Sequence, residues 1–556
     1  MNSIFTEITI IVSLSALFAI IFRAFRQPPI LAYILTGIFI GALKFYNIAN
    51  IEVLHTLGEF GITFLLFMLG LELKISELKS VGKVAVVAGL GQIVFTTLVG
   101  FGLTMLLGFS LVESLYISAA MTFSSTVIIV KLLSDKKDQN SLYGKISIGI
   151  LLVQDFAAIV ILILLSSIAQ SHSFSVLTIL FVFVKAFLLF TAAILASKYV
   201  LPKIINFIAS SSEALFIFSI AFAFLVASIV ASPVVGFSIE IGGLLAGLAL
   251  ANSSENYHIV ARIRPLRDFF ITLFFVLLGT QMDLSNIGSI WVPALVLSLF
   301  VLIGNPIIVL VILGLMGFHK RVGFLVGLAV AQISEFSLIL IFLGNKLSHV
   351  NNEIVSLMAM IAIVTFGAST YMIINANRLY RIFAKRINIF EKRSSNSIPL
   401  VTKVFTKHII LIGANRGGEV ILETLKDLGR DFLVVDFDPD VVGELEKQGY
   451  NVLFGDISDP ETQEKAGFES ADLVISSNVD REDNIAVAHA LTQANKNAQF
   501  ICLARDRFDA KELYKHGVSY VVIPRHSSGK YIAEILESGK LSRLPQLKNR
   551  DLKELA

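Results

Sequence analysis

Long apolar runs alternate with short polar connections over the first two thirds of the chain, and from residue 406 the pattern changes period. A helix that spans a membrane takes roughly 17–25 apolar residues, fewer where neighbours bury it. Thirteen runs meet that requirement, near 4–22, 30–43, 53–71, 84–107, 111–130, 146–168, 174–197, 213–231, 234–251, 268–282, 289–317, 322–344 and 353–377. From 406 to about 535, short β-rich runs (HIILIG, DFLVVDFD, NVLFG, DLVIS, FICLA, YVVIP) alternate with amphipathic stretches. This is the pattern of a parallel sheet with crossover helices. The expected organisation is a polytopic all-α membrane domain over 1–377, a juxtamembrane helix and linker over 378–405, an α/β Rossmann-like domain over 406–535 and a tail over 536–556.

Composition agrees: 55% of the 556 residues are hydrophobic and the mean hydropathy is +0.79, above the usual apolar share of soluble domains. The formal net charge of +3 gives no reason to expect a nucleic-acid partner. What matters is how the charges are sorted. Every second connection is basic, from Arg23 and Arg26 through Lys131, Lys136, Lys137 and Lys145 to Lys320 and Arg321. Basic loops stay on the cytoplasmic side, so the chain is read as a multi-pass protein of the cell's inner (plasma) membrane, with its N-terminus outside and its C-terminal domain in the cytoplasm. The first run lacks a cleavage pattern and is read as a retained span. The single Cys502 excludes an intrachain disulfide, fits a reducing compartment, and is read as a small buried apolar residue.

The membrane half repeats itself. FGITFLLFMLG (60–70) aligns with FFITLFFVLLG (269–279), and GIFIG (37–41) with GLLAG (243–247). Both matches are seven spans apart, an odd offset that makes the halves point in opposite directions. Such inverted repeats belong to secondary transporters, whose binding site lies near the midplane.

Asp155 falls there, about ten residues or roughly 15 Å into its run, beside Gln154. A charge at that depth costs at least ~2.5–3.5 kcal/mol and usually serves ions or protons. Loss of water favours the neutral form of a carboxyl, so one group can trade a proton for a monovalent cation. A second carboxyl, Glu335, sits with Gln332 halfway along the twelfth run. The equivalent fifth run holds Thr122, Ser124, Ser125 and Thr126. Hydroxyl-rich stretches of this kind are where spans break and offer carbonyls and helix ends to ions. Asn305-Pro306 bends the eleventh run, as a hinge or as part of the ion pathway. Lys185 has no assigned role, and Glu240 is expected to be solvated near an outer end.

These residues resemble the second branch of monovalent cation/proton antiporters, the Kef-type potassium/proton antiporters, over nearly the whole chain. The matching stretches are QPPILAYILTGIFIG (27–41), FLLFMLGLEL (64–73), FSSTVIIV (123–130), VQDFAAI (153–159), RPLRDFFITLFFVLLG (264–279) and AQISEFSLIL (331–340). The resemblance implies that Asp155 carries the ion and proton, that broken helices with Ser124, Ser125, Thr126, Gln332 and Glu335 cross beside it, and that a core moves like an elevator against a homodimeric scaffold. Two departures stand out. Asn305 takes a place where many relatives carry lysine, which puts the stoichiometry in question. The connection before the tenth run, HIVARIRPLRD (258–268), is basic rather than acidic, so glutathione gating is not expected.

In HIILIGANRGGEVILETL (408–425), Gly413 and Gly418 hold the first and third places of a G-x-G-x-x-G fingerprint, while Asn415 takes the second and Arg416 follows it. Asp436 ends the next strand, about 20 residues on, where the ribose carboxylate belongs. Asp456 is a further candidate. The domain resembles the RCK (TrkA-N) domain, which implies regulation by an adenine nucleotide, AMP favoured over NAD(H) because of Asn415. The expected function is therefore a secondary-active cation/proton antiporter, not an enzyme, exporting potassium or sodium as a homodimer in membrane lipid, with an ancillary regulatory protein unidentified. A channel would need a carbonyl filter such as T-V-G-Y-G, which is absent from the sequence. A membrane-anchored oxidoreductase leaves Asp155 unexplained.

Overall fold

The computed structural model describes residues 4–42, 50–72, 82–136, 138, 141–170, 176–209, 211–232, 235–282, 287–318, 320–384, 386–387, 407–414, 417–436, 439–455, 457, 460–537, 544–545 and 547–549. Two compact units emerge, one from Met1–Met316 with Lys320–Phe390, the other chiefly from Glu391–Ala556.

Among the described residues, the regular elements of the first unit are all helices. Its helices are α1 (Ile4–Ala24), α2 (Pro29–Gly37), α3 (Ile51–Glu72), α4 (Gly82–Leu106), α5 (Leu111–Ala120), α6 (Thr126–Lys136), α7 (Leu142–Gln170), α8 (Val176–Leu195), α9 (Leu201–Ile208), α10 (Ser212–Val230), α11 (Ile239–Leu250), α12 (Asn256–Thr280), α13 (Ile287–Leu299), α14 (Asn305–Leu315), α15 (Lys320–Ala329), α16 (Glu335–Lys346), α17 (Asn352–Ile374) and α18 (Ala376–Phe383). Among the described residues, eight helical stretches are long and apolar enough to cross a membrane, and three shorter apolar ones accompany them.

The fifth and twelfth runs break at their polar middles, as expected, into the pairs α5/α6 and α15/α16. Other boundaries differ from the sequence expectation. Helix α12 begins at Asn256, so the basic stretch expected to be a connection is helical, with Pro265 inside it. Hydropathy registers only where that helix becomes apolar. Asn305-Pro306 does not interrupt its run either. A π-helical turn, Phe300–Gly304, carries α13 into α14, absorbing the donor that proline lacks.

The repeat has a packing counterpart. A Cβ on Gly37 of α2 would lie 2.1 Å from the Val276 carbonyl and 2.7 Å from the Gly279 Cα of α12. A Cβ on Gly247 of α11 would lie 2.0 Å from the Phe67 carbonyl of α3. The internal repeat exchanges these two interfaces, and glycine lets the backbones touch at both.

In the second unit six strands, β1 (His408–Ile412), β2 (Phe432–Asp436), β3 (Val452–Phe454), β4 (Ala471–Ser476), β5 (Gln499–Leu503) and β6 (Tyr520–Val522), pair in parallel in the order 3-2-1-4-5-6. That is the doubly wound nucleotide-binding order, with its ligand crevice where β1 and β4 diverge. Cys502 is fully buried in β5, and burial pushes its thiol up to about 12.

Candidate functional site

Residues 121–125 and 330–334 separate the two halves of each broken pair, and the two extended stretches meet. The Ser124 hydroxyl donates to the Val330 carbonyl at 3.1 Å. Breaking a helix inside a membrane exposes backbone groups that lipid cannot satisfy. Here side chains from other helices take them up. Ser337 Oγ donates to the Ala120 carbonyl, Asn305 Nδ2 to that of Met121 at 3.2 Å, and Gln92 Nε2 to that of Thr122 at 3.2 Å. On the donor side, Gln154 Oε1 accepts from the Ser124 amide at 2.9 Å, and Ser334 caps α16 with a reciprocal bond through Ser337.

The polar residues form one chain. Gln154 Nε2 donates to Gln92 Oε1 at 2.7 Å, Gln92 Nε2 also reaches Thr96 Oγ1 at 3.1 Å, and Thr96 donates to Asn305 Oδ1 at 2.9 Å. The offset that registers Phe60 on Phe269 also takes Thr96 to Asn305 and Thr126 to Glu335. Repeat mates thus touch directly at the first of these pairs.

Two carboxylates face this arrangement. Asp155 lies near the middle of the 29-residue α7, buried, and its Oδ2 accepts from Thr126 Oγ1 at 2.9 Å at the start of α6. Glu335 is the first residue of α16, buried as well, with the Ser125 and Ser334 hydroxyls against it. Each carboxylate therefore stands at the positive end of a half-helix, where the partial charge of the free amides compensates an anion. The neighbouring hydroxyls of Thr126 and Ser125 thus reach one carboxylate each. Gln332 accepts from Ser369 at 2.7 Å on α17, and the Ile333 amide reaches Thr365. A cavity of about 620 Å³ leads to Glu335 from the basic side of the unit, past Tyr33, Leu65 and Phe275. On the opposite side Ile62, Leu66, Ile339 and Phe342 close around only about 10 Å³.

The structure thus brings together Gln154, Asp155, Ser124, Ser125, Thr126, Asn305, Gln332 and Glu335. Sequence reasoning missed Gln92, Thr96, Thr365 and Ser369; the spacing of Gln92 and Thr96, one helical turn apart in an apolar run, was the available signal. Glu240, expected to be solvated, is buried (7% exposed) beside the closed side, and Lys185 donates to the Val235 carbonyl.

In the second unit Gly413 adopts φ +80°, a left-handed turn open to glycine. A Cβ on Gly418 would sit 2.1 Å from the Gly413 carbonyl, the close strand-to-helix approach of a dinucleotide turn. Asp436 Oδ2 accepts from the Ala414 amide at 2.9 Å, and Ser477 Oγ donates to the Gly413 carbonyl at 2.8 Å. The carboxylate at the end of β2 braces the turn itself. Asn415, Arg416 and Asp456 lie outside the described residues.

Comparison with known proteins agrees with this geometry. The sodium/hydrogen exchanger transmembrane family matches residues 10–374, and the TrkA-N domain matches 409–524. The chain is 25% identical over 551 residues to K(+) efflux antiporter 3, chloroplastic, of Arabidopsis thaliana, covering 93% of this chain and 70% of that protein. It is 25% identical over 532 residues to the putative cation/proton antiporter YbaL of Escherichia coli (strain K12), covering 92% and 93%. The sodium proton antiporter MjNhaP1 of Methanocaldococcus jannaschii superimposes with a TM-score of 0.52 at 17% identity, over 69% of this chain and 97% of that one, which establishes the shared fold. The chain belongs to the sodium/hydrogen exchanger transmembrane family and is a Kef-type cation/proton antiporter with a C-terminal TrkA-N domain.

Proposed function

We propose that this antiporter exports potassium, with sodium as the alternative cation, against proton entry, and that Asp155 carries both ions in turn. The observation that carries the reading is the pair of buried carboxylates at two crossed helix breaks, one of them at the end of a cavity. When a cation enters, Asp155 gives up its proton and the carboxylate holds the cation, aided by Thr126. When the proton returns, the neutral acid releases the cation. Because one group serves both, proton and cation exclude each other, which is what exchange requires. Gln154, Gln92, Thr96 and Asn305 keep the breaks in place without adding charge.

The basic side is read as cytoplasmic and each broken pair as one of thirteen passages, with the N-terminus outside, in the plasma membrane, and the protein as a homodimer. The Arabidopsis relative, named as a K(+) efflux antiporter, favours potassium. Asp155→Asn tests the reading: in proteoliposomes it abolishes cation-dependent dissipation of a pH gradient, and exchange that persists in the variant refutes it.

The Gly413 turn, the approach of Gly418 and Asp436 at the strand end suit an adenine nucleotide, AMP ahead of NAD(H), which regulates exchange. Gly413 and Gly418 would admit its phosphates and Asp436 its ribose. Titration calorimetry of the full chain with each nucleotide checks this. Asp436→Ala weakens binding at least tenfold, and unchanged affinity overturns the assignment.

A further inference from the structure

The cavity that leads to Glu335 has an unexpected electrical character for a cation path. Arg23, Arg26, Lys131, Lys136 and Arg267 line it, against Asp135, Asp268 and Glu335. Arg267 is held to Asp268 at 2.7 Å. Lys136 has Asp138 beside it, so Arg23, Arg26 and Lys131 face Asp135 and Glu335, an excess of one positive charge with Glu335 ionised and of two with it protonated. Arg23, Arg26 and Lys131 are exposed along the walls, and the deeper wall is apolar, with Ile128, Ile271 and Phe275. Low-dielectric walls concentrate the field of such charges within the cavity.

We propose that this vestibule is an electrostatic filter that rejects divalent cations, so that Arg23, Arg26 and Lys131 determine monovalent specificity before any ion reaches the carboxylates. In a positive potential the local concentration of an ion falls exponentially with its charge. Whatever factor depletes a monovalent ion depletes a divalent one by the square of that factor. The two buried carboxylates alone would prefer a divalent ion, since two negative charges attract it more strongly. The vestibule reverses this preference at the entrance, where a bound divalent ion would hold both carboxylates and block the proton's return.

The inference rests on the proposed route through this cavity to Asp155, and its test separates the two. Arg23→Gln combined with Lys131→Gln, in the full chain reconstituted at low ionic strength, is compared with Arg23→Lys combined with Lys131→Arg. The KM for potassium and the inhibition constant for calcium are measured by pH-gradient dissipation. In the neutral variant KM falls about threefold and the calcium inhibition constant about tenfold, the square of the first change. The charge-preserving variant matches the wild type, and both shifts shrink at high ionic strength as screening takes over. Equal shifts for the two ions, no shift, or a charge-preserving variant that behaves like the neutral one overturns the filter while exchange itself continues. If the double variant fails to fold, Arg26→Gln alone is read for the same squared relation. Failure of the route shows elsewhere, as exchange that survives Asp155→Asn.

Discussion

The hydroxyl of Thr126 donates to Oδ2 of Asp155 across 2.9 Å, tying the first residue of α6 to the carboxylate in the middle of α7. A hydrogen bond to a charged group contributes about 1.5–3 kcal/mol, and about 1.4 kcal/mol is a factor of ten in affinity. Thr126→Val therefore raises the cation KM about tenfold or more while the protein stays folded, and Thr126→Ser restores it. Initial rates of exchange against potassium concentration decide the matter; a KM unmoved by the valine would show that this bond plays no part in holding the cation.

That relationship was half legible in the sequence. A carboxyl in an apolar run announces itself because its burial is costly, and two hydroxyl-rich interruptions at one repeat offset mark where helices part. Thr365 and Ser369 gave no such signal, and the one-turn spacing of Gln92 and Thr96 gave only a weak one, since small polar residues in membrane helices also serve ordinary helix contacts. Their role lies in which broken end they reach, a tertiary fact. Helix α12 was hidden for another reason: its first half is basic, so hydropathy cannot see it. Asp436 was placed at the end of β2 by spacing, but its bond to the Ala414 amide depends on how the turn folds back.

Thr96 and Asn305 are repeat mates in direct contact, both fully buried, and Asn305 also holds the Met121 carbonyl. Thr96→Val leaves the Asn305 carbonyl oxygen short of a donor. Asn305→Ala takes the acceptor from the Thr96 hydroxyl, to which Gln92 still donates, and leaves the Met121 carbonyl without its donor, at about 1–3 kcal/mol for each unsatisfied group. Because the two substitutions remove the same bond, the double variant is more stable than their sum implies, with a coupling of about 1 kcal/mol. Thermal unfolding of the four proteins measures it, and strict additivity would dissolve the proposed link between the fourth and eleventh passages.

The glycine crossings make a sharper contrast. Gly37→Ala and Gly247→Ala drive a methyl to 2.1 and 2.0 Å of backbone carbonyls, an overlap that only separation of the helices relieves, at about 1–3 kcal/mol or more. A Cβ on Gly102 in α4 meets nothing within 4 Å, so Gly102→Ala gains the helix propensity that glycine lacks, about 0.8–1 kcal/mol. Fluorescence-detected unfolding in detergent is expected to order the variants with Gly102→Ala above the wild type and the other two well below it. Equal tolerance at all three positions would mean that the two repeat-related interfaces are looser than their contacts indicate.

Glu335 and Lys346 are the two ends of one helix, and while Glu335 faces the open cavity, Lys346 is paired with Glu59 of α3. Just inside that pair, Ile62 and Leu66 of α3 and Ile339 and Phe342 of α16 border the same cavity of about 10 Å³, so movement of α16 past α3 must open that apolar closure as well as part the ion pair. The pair is 45% and 29% exposed, which limits it to about 0.2–1 kcal/mol and hence to a shift of a few-fold between cavity-open and oppositely open states. Glu59→Gln is therefore expected to raise, about two- to fivefold, the rate at which Ile339→Cys reacts with an impermeant thiol reagent added from the closed side. The natural Cys502 adds no background, because its buried thiol is held up to about 12 and stays protonated. Exchanging the charges, Glu59→Lys with Lys346→Glu, brings the rate back toward that of Ile339→Cys alone. If the single and exchanged variants label alike, the pair is a surface ornament and the apolar closure alone keeps that side shut.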